Sequence, residues 1–127
     1  MFRSFAITVR PRDGISDTTL AAYQKWFEKV DYAFVCTEKE GVERHLHAQI
    51  WTDSPKAKGD IVKQVERISE RTINDWDQAQ KKVLRSGIKI AYSDWFLDYL
   101  AENELKDTLC DTLYEKLPQN TYAYYPT

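Results

Sequence analysis

Several residue types are scarce in this chain, and each scarcity excludes a class of protein. Two cysteines, Cys36 and Cys110, cannot form a disulfide framework, so we expect reduced thiols in a reducing compartment. None of the four glycines has the spacing of a phosphate-binding loop. No apolar run approaches the roughly 18 residues of a membrane helix, and the N-terminus lacks the apolar stretch of a secretion signal.

Histidine is equally scarce, and its count limits the chemistry. The only two histidines, His45 and His47, lie together in the segment ERHLHAQIW. Two histidines exclude a three-histidine zinc hydrolase and a phosphodiesterase built from two separate histidine motifs. The Gly-x-Ser-x-Gly elbow of serine hydrolases is absent. The chain contains the residue types of a cysteine protease, with Cys36 and His47 as the candidate pair. However, Cys36 lies in an apolar segment without a helix N-terminus or basic neighbour to activate its thiol.

The residues that are present describe one soluble globular domain over residues 1–127, either alone or as the N-terminal part of a longer protein. Hydrophobic residues make up 43% of the chain and charged residues 30%, with a net charge of −2. Positive charge is nevertheless clustered in two groups. These groups are Arg3, Arg10 and Arg12 near the start, and Lys81, Lys82, Arg85 and Lys89 later in the chain. Such clusters are either solvated faces or surfaces for a polyanion.

Hydrophobic periodicity predicts an α+β fold in which helices pack against an antiparallel sheet. In RSFAITVR, the alternation of Phe5, Ile7 and Val9 with polar neighbours indicates a half-buried strand. Ser16 or Asp17 is a suitable cap for the first helix, and Asp60 for the second. The predicted strands cover residues 3–10, 32–38, 45–51 and 88–92, and the predicted helices cover 16–29, 60–73, 93–105 and 107–117.

The two histidines are candidate metal ligands. Residues i and i+2 of a strand share a face, so His45 and His47 can converge on one ion while Leu46 faces the core. A third donor is required, and the hairpin that joins the second and third strands brings Glu38 alongside them. Glu40 and Glu43 lie nearer the turn, where we expect them to be solvated. The alternative is a surface pair of histidines that binds no ion.

A metal of this kind needs a nucleophile from elsewhere, and the segment YSDWFLDYLAEN offers two tyrosines. Tyr92 ends a predicted strand, whereas Tyr99 lies within the following predicted helix. A free tyrosine has a pKa near 10 and is a weak nucleophile. It becomes useful when a metal polarises the electrophile, as in attack on a phosphodiester. Most of the eight tyrosines are nevertheless expected to be packing residues.

Three segments in order resemble the motifs of a known family. FAITVRP, then HLHAQIW, then DWFLDYLAEN resemble those of the replication initiators of circular single-stranded DNA viruses, the HUH endonuclease or Rep family. In that family a strand motif precedes a His-hydrophobic-His motif, and a helix with Tyr-x-x-Lys follows. The resemblance covers roughly residues 5 to 103, and the histidine motif is its most specific part.

The resemblance implies a sheet of about five antiparallel strands flanked by helices, similar to RNA-recognition domains. It also implies that Glu38, His45 and His47 bind Mn²⁺ or Mg²⁺ and that Tyr99 is the nucleophile. Tyr99 would form a 5′-phosphotyrosine link to single-stranded DNA at a replication origin, and the free 3′-OH would prime rolling-circle replication. As a viral protein the chain would act in the host nucleus, away from membranes, with homo-oligomers formed through a longer parent chain.

The seven basic residues named above would then track DNA phosphates, and Trp51, Trp76 and Trp95 would either stack on bases or pack in the core. One departure from the family is clear: Glu102 stands where the family has the lysine of Tyr-x-x-Lys. Either Lys106 or Lys89 replaces that lysine, or activity is weak, or the motif lies elsewhere.

Two other classes of function remain open on the sequence. A non-catalytic module could bind single-stranded nucleic acid by stacking and charge, although the aromatic signature of RNA-recognition sheets is absent. A structural domain of a larger protein would leave the histidines without a role. A binding module should be indifferent to EDTA, whereas the endonuclease should not be.

Overall fold

The structure is a computed structural model, and it describes residues 2–72, 88–92 and 111–118. Within these ranges the chain forms five strands and two α-helices. In chain order they are β1 (Phe2–Val9), α1 (Asp17–Lys29), β2 (Tyr32–Glu38), β3 (His45–Lys56), α2 (Lys58–Thr72), β4 (Ile88–Tyr92) and β5 (Asp111–Lys116). A 3₁₀ turn, Gly41–Glu43, joins β2 to β3.

The strands form a single antiparallel sheet in the order β4-β1-β3-β2-β5. The predicted α+β class and the antiparallel sheet of about five strands are therefore confirmed. The first six elements follow the order β1-α1-β2-β3-α2-β4 along the chain, and β1 and β3 lie between β4 and β2 in the sheet. This arrangement is the split βαβ topology of ferredoxin-like folds. No helix in the described ranges has the length and apolar character needed to cross a membrane.

One face of the sheet carries the hydrophobic core. The alternation predicted for β1 is confirmed, because Phe5, Ile7 and Val9 are fully buried. Helices α1 and α2 contribute Phe27 and Val65 to the same cluster of buried side chains. Successive residues of a strand point to opposite faces, so the alternate residues of β1 and β3 lie on the other face of the sheet. The buried polar side chains Ser4, His45, His47 and Gln49 are among them.

The helix starts were predicted with unequal success. Ser16 caps α1 as expected, since its Oγ accepts a hydrogen bond from the Thr19 backbone N–H at 3.1 Å. Asp60 was predicted to cap α2, and this is wrong. The helix begins two residues earlier at Lys58, so Asp60 lies in its first turn, where a carboxylate still interacts favourably with the helix dipole.

The helix predicted over residues 107–117 is also wrong where the structure describes it. Asp111–Lys116 forms β5, which pairs with the outer edge of β2. The segment is so short that the spacing of its leucine and tyrosine residues fits both the 3.6-residue period of a helix and the 2-residue period of a strand. The unpaired backbone groups at the edge of β2 favour a strand, and Leu113 and Tyr114 pack against the core from it.

Tyr23 joins the two helices through its buried hydroxyl. That hydroxyl donates to the Val65 carbonyl at 2.8 Å and lies 2.5 Å from Ser69 Oγ, and burial raises the pKa of the phenol. We expect Tyr23→Phe to lower the free energy of unfolding by about 1–2 kcal/mol, because it removes two buried hydrogen bonds, one to the Val65 carbonyl and one to the Ser69 hydroxyl. Urea unfolding with an unchanged slope measures this loss.

The double variant Tyr23→Phe with Ser69→Ala is the control for that prediction. In Tyr23→Phe the buried Ser69 hydroxyl faces an apolar ring, and Ser69→Ala removes that hydroxyl. The double variant should therefore recover part of the stability that Tyr23→Phe loses. If the double variant is less stable than Tyr23→Phe alone by the full cost of Ser69→Ala, the two hydroxyls do not interact energetically.

Candidate metal centre

The candidate metal centre lies where β2 ends and β3 begins. Antiparallel register places Glu38 directly opposite His45, and Cys36 opposite His47. Residues at i and i+2 of β3 share a face, so His45 and His47 lie together while Leu46 is fully buried in the core on the other side. The predicted convergence of Glu38, His45 and His47 is thus confirmed. Glu40 and Glu43 are exposed at the turn, as expected.

The spacing of the three side chains suits a single ion. Glu38 Oε2 lies 3.0 Å from His45 Nε2 and 3.2 Å from His47 Nε2, and one candidate ligand atom from each residue lies within 4.8 Å of the others. Two ligands bound at about 2.1 Å and at right angles around one ion are separated by roughly 3.0 Å. Among the described residues, Glu38, His45 and His47 are the group that places three potential metal ligands close enough to bind one ion.

The proton on His45 indicates why a cation fits here. His45 Nδ1 lies 2.8 Å from the carbonyl oxygen of Glu43, which can only accept, so Nδ1 carries the proton. In the neutral ring, Nε2 then has no proton, and its lone pair faces Glu38 Oε2, which lies 3.0 Å from Nε2. Two acceptors in contact, with side chains only 4% and 13% exposed, need a positive charge between or beside them.

His47 is held by a second contact on its far side. Its Nδ1 lies 3.3 Å from the hydroxyl of Thr8, the residue opposite it on β1. Burial lowers the pKa of His47 to about 4, a positive charge on His45 would add to that effect, and Glu38 partly opposes it. His47 is therefore neutral at pH 7, and a metal would not have to displace a proton from it. Such contacts to the second ring nitrogen are typical of metal-binding histidines.

Arg10 brings a permanent positive charge to the same site. Its Nη2 donates a hydrogen bond to His45 Nε2 at 3.2 Å, the nitrogen that also faces Glu38. Arg10 and Arg12 both line an open cavity of about 430 Å³ beside His45. Arg10 and Arg12 therefore lie beside the metal centre, and their contact with DNA phosphates stays a prediction.

The remaining predicted DNA-binding residues are placed differently. Arg3 lies at the other end of β1, seven residues or roughly 23 Å of strand from Arg10, so these arginines do not form one group. The backbone of Lys89 on β4 is opposite Thr8, and β1 lies between it and His47 on β3. Lys81, Lys82 and Arg85 lie outside the described residues, as do Glu102 and its candidate substitute Lys106.

The two candidate nucleophiles differ in what the structure says of them. Tyr99 lies outside the described residues. The backbone of Tyr92 is in register with Phe5, three residues from the position of Lys89 opposite Thr8. Three residues of strand span about 10 Å. The register therefore separates Tyr92 from the row of the sheet that contains His47.

Two side chains on the face of the metal centre are more buried than their proposed roles require. Trp51 is fully buried, so it is a packing residue and not a surface on which a base stacks. The strand has two buried faces here, which its sequence alone did not reveal. Cys36 is also fully buried, which disfavours a cysteine nucleophile beside His47. Trp76, Trp95 and Cys110 lie outside the described residues.

Thr8 and the Glu43 carbonyl are the functional groups that the sequence did not identify. Thr8 could have been found from the alternation of β1, which places it on the face opposite Ile7 and Val9. The Glu43 carbonyl could not, because its direction depends on the conformation of the turn.

A scan against family models and a search of curated proteins find no match to this chain.

Proposed function

We propose that the chain is a metal-dependent endonuclease and strand transferase that nicks single-stranded DNA at an origin of rolling-circle replication. The observation that carries the proposal is the convergence of Glu38, His45 and His47, with Nε2 atoms aimed at one carboxylate oxygen. Two histidines and a carboxylate leave positions open on a divalent ion for substrate. The order of the three motifs that resemble the Rep family supports the assignment to DNA.

The chain's own residues would prepare the site for an ion. Glu38 supplies one negative charge, and the Glu43 carbonyl and Thr8 hydroxyl orient the rings of His45 and His47. The bound ion, which we propose to be Mn²⁺ or Mg²⁺, would supply Lewis-acid polarisation of a non-bridging phosphate oxygen. The carboxylate of Glu38 and the phosphate oxygens of the substrate are donors that suit these ions.

Tyr99 would carry out the bond exchange. Its phenolic oxygen forms a bond to phosphorus as the bond from phosphorus to the 3′ oxygen breaks, and the phenolic proton is released as the 3′ oxygen gains one. The products are a 5′-phosphotyrosine link and a free 3′-OH end. Reversal of the same exchange rejoins a strand. Since one phosphodiester replaces another, the reaction needs no nucleotide cofactor.

The polarity of this reaction gives its test. The wild-type chain is incubated with a pool of single-stranded oligonucleotides in Mn²⁺ or in EDTA, with fluorophore at either end. The 3′-labelled strands should yield a labelled protein band that survives SDS, whereas 5′-labelled strands should yield free shortened DNA that a polymerase extends. Both products should require Mn²⁺. A duplex of the same strands is the control, and it should yield neither product.

The other result would reverse the assignment. Oligonucleotide binding that EDTA does not alter, with no shortened product and no covalent band, would contradict the endonuclease. It would favour the non-catalytic binding module, with Glu102 in the lysine position as the residue that explains the lost chemistry.

A further inference from the structure

A cavity of about 430 Å³ shares a wall with the metal centre, and its lining resembles a site for one nucleotide unit. His45 forms the shared wall. The volume lies in the range of small-molecule sites. The cations of the lining are Arg10, Arg12 and Lys39, its apolar members are Pro11 and Val42, and its acid is Glu43.

The walls of this cavity are fixed to each other. The loop after β1 and the turn between β2 and β3 are joined by a backbone bond from the Ile15 N–H to the Arg44 carbonyl at 2.9 Å. The Arg44 guanidinium returns two bonds to the Ile15 carbonyl at 2.9 and 2.6 Å. Gly14 has a φ of +84°, and a Cβ there would lie 2.0 Å from the Gly41 oxygen. Only glycine allows this close approach of the two loops.

The chemistry of the lining selects an anion with an attached apolar surface. Three cations against one carboxylate favour a phosphate. Val42 is 69% exposed at the rim, which suits contact with a sugar or base. Lys39 has a φ of 66°, a conformation that costs energy for a residue with a side chain and that is often found at ligand sites. A nucleotide unit of single-stranded DNA has both required parts.

Arg10 belongs to the cavity and to the metal centre at once. Its Nη2 donates to His45 Nε2 at 3.2 Å, so it uses the lone pair that an ion would use. One lone pair cannot serve both, and the guanidinium and a divalent ion repel each other. A bound ion must therefore release Arg10 from His45. The guanidinium is exposed and borders the cavity, so a phosphate held there can receive it.

We propose that this cavity binds the DNA phosphate adjacent to the one that is cut, and that metal binding transfers Arg10 from His45 to that phosphate. The inference rests on the proposed function for the identity of the polyanion. Arg10 is then a positioning residue whose contact with DNA depends on the ion. It also supplies, from the loop after β1, a cation beside the site in a chain that has Glu102 in place of the family's lysine.

Metal affinity without DNA is the first test. Mn²⁺ is titrated calorimetrically into the wild type, Arg10→Met and Arg3→Met. If Arg10 competes for His45, its replacement should tighten Mn²⁺ binding by about 5- to 10-fold. Arg3→Met is the matched control, because it removes an equal charge from the far end of β1. Equal Mn²⁺ affinities for Arg10→Met and wild type would overturn the competition.

DNA affinity is the second test, measured in a Tyr99→Phe background so that no strand is cut. With a labelled single-stranded oligonucleotide, Arg10→Met should weaken binding by at least about 5-fold in Mn²⁺ but less than about 2-fold in EDTA. Arg12→Met should weaken binding by a similar factor in both. An Arg10 effect of equal size in Mn²⁺ and EDTA would overturn the transfer, and no effect of Arg12→Met would overturn the cavity as a phosphate site.

These readouts separate the inference from the proposed function. Both tests measure binding and require no nicking. If the covalent band never forms with the wild type while Arg10→Met shows the Mn²⁺-dependent loss of DNA affinity, the endonuclease fails and the cavity stands. If the band forms but Arg10 shows no dependence on Mn²⁺, the endonuclease stands and the transfer fails.

Discussion

Replacing His47 by alanine is expected to lower Mn²⁺ affinity by at least about 100-fold and to reduce DNA cleavage below detection. Loss of a residue that only orients a metal ligand already costs about 10- to 100-fold in affinity, so loss of a ligand should cost no less. His47 is neutral near pH 7, since burial lowers its pKa to about 4, and its Nε2 lies 3.2 Å from Glu38 Oε2. Calorimetric titration with Mn²⁺ measures the first effect and the covalent band the second.

Two controls separate a lost ligand from a damaged fold. His47→Gln keeps most of the buried volume, so it should unfold at nearly the wild-type urea concentration while still losing the ion. Thr8→Val removes the hydroxyl 3.3 Å from His47 Nδ1 but no ligand, so it should weaken Mn²⁺ binding by a smaller factor. Wild-type Mn²⁺ affinity in both His47 variants would mean that the ion binds elsewhere.

Replacing Tyr99 by phenylalanine is expected to eliminate the covalent protein–DNA band, with a loss of at least about 1000-fold in cleavage rate. The substitution removes one oxygen atom and keeps the ring. If that oxygen is the nucleophile, no bond to phosphorus can form. Mn²⁺ affinity should be unchanged, because the candidate ligands are Glu38, His45 and His47. Quantitative denaturing gels with 3′-labelled oligonucleotide measure the effect.

Tyr92→Phe is the matched control for that experiment. The backbone of Tyr92 is in register with Phe5, about 10 Å along the strand from the row of Thr8 and His47, so this variant should form the band at the wild-type level. A band that persists in Tyr99→Phe and disappears in Tyr92→Phe would exchange the two tyrosines. A band that persists in both would place the nucleophile elsewhere in the chain.

The part of the site that is local in sequence could be predicted from the sequence. His45 and His47 are two residues apart on a strand, and the hairpin turn fixes which residue of β2 lies opposite them. Glu38 follows from that register. The alternation of Phe5, Ile7 and Val9 likewise determined which face of β1 enters the core.

What depends on contacts between distant segments could not be predicted. The bond from Arg10 to His45 requires the conformation of the loop after β1, which Gly14 and Arg44 fix against the turn at Gly41. The local pattern of Asp111–Lys116 predicts a helix, whereas the open edge of β2 determines its conformation as the strand β5. The burial of Trp51 depends on whether the second face of the sheet is covered, which its alternating pattern does not indicate.

The location of the ion tests the central claim most directly. Crystals soaked in Mn²⁺ can be measured at the manganese absorption edge. The account predicts a single strong anomalous peak about 2.1 Å from Glu38 Oε2, His45 Nε2 and His47 Nε2. Absence of a peak at this site under saturating Mn²⁺, or a peak bound by other residues, would contradict the metal centre and with it the nicking reaction that we propose.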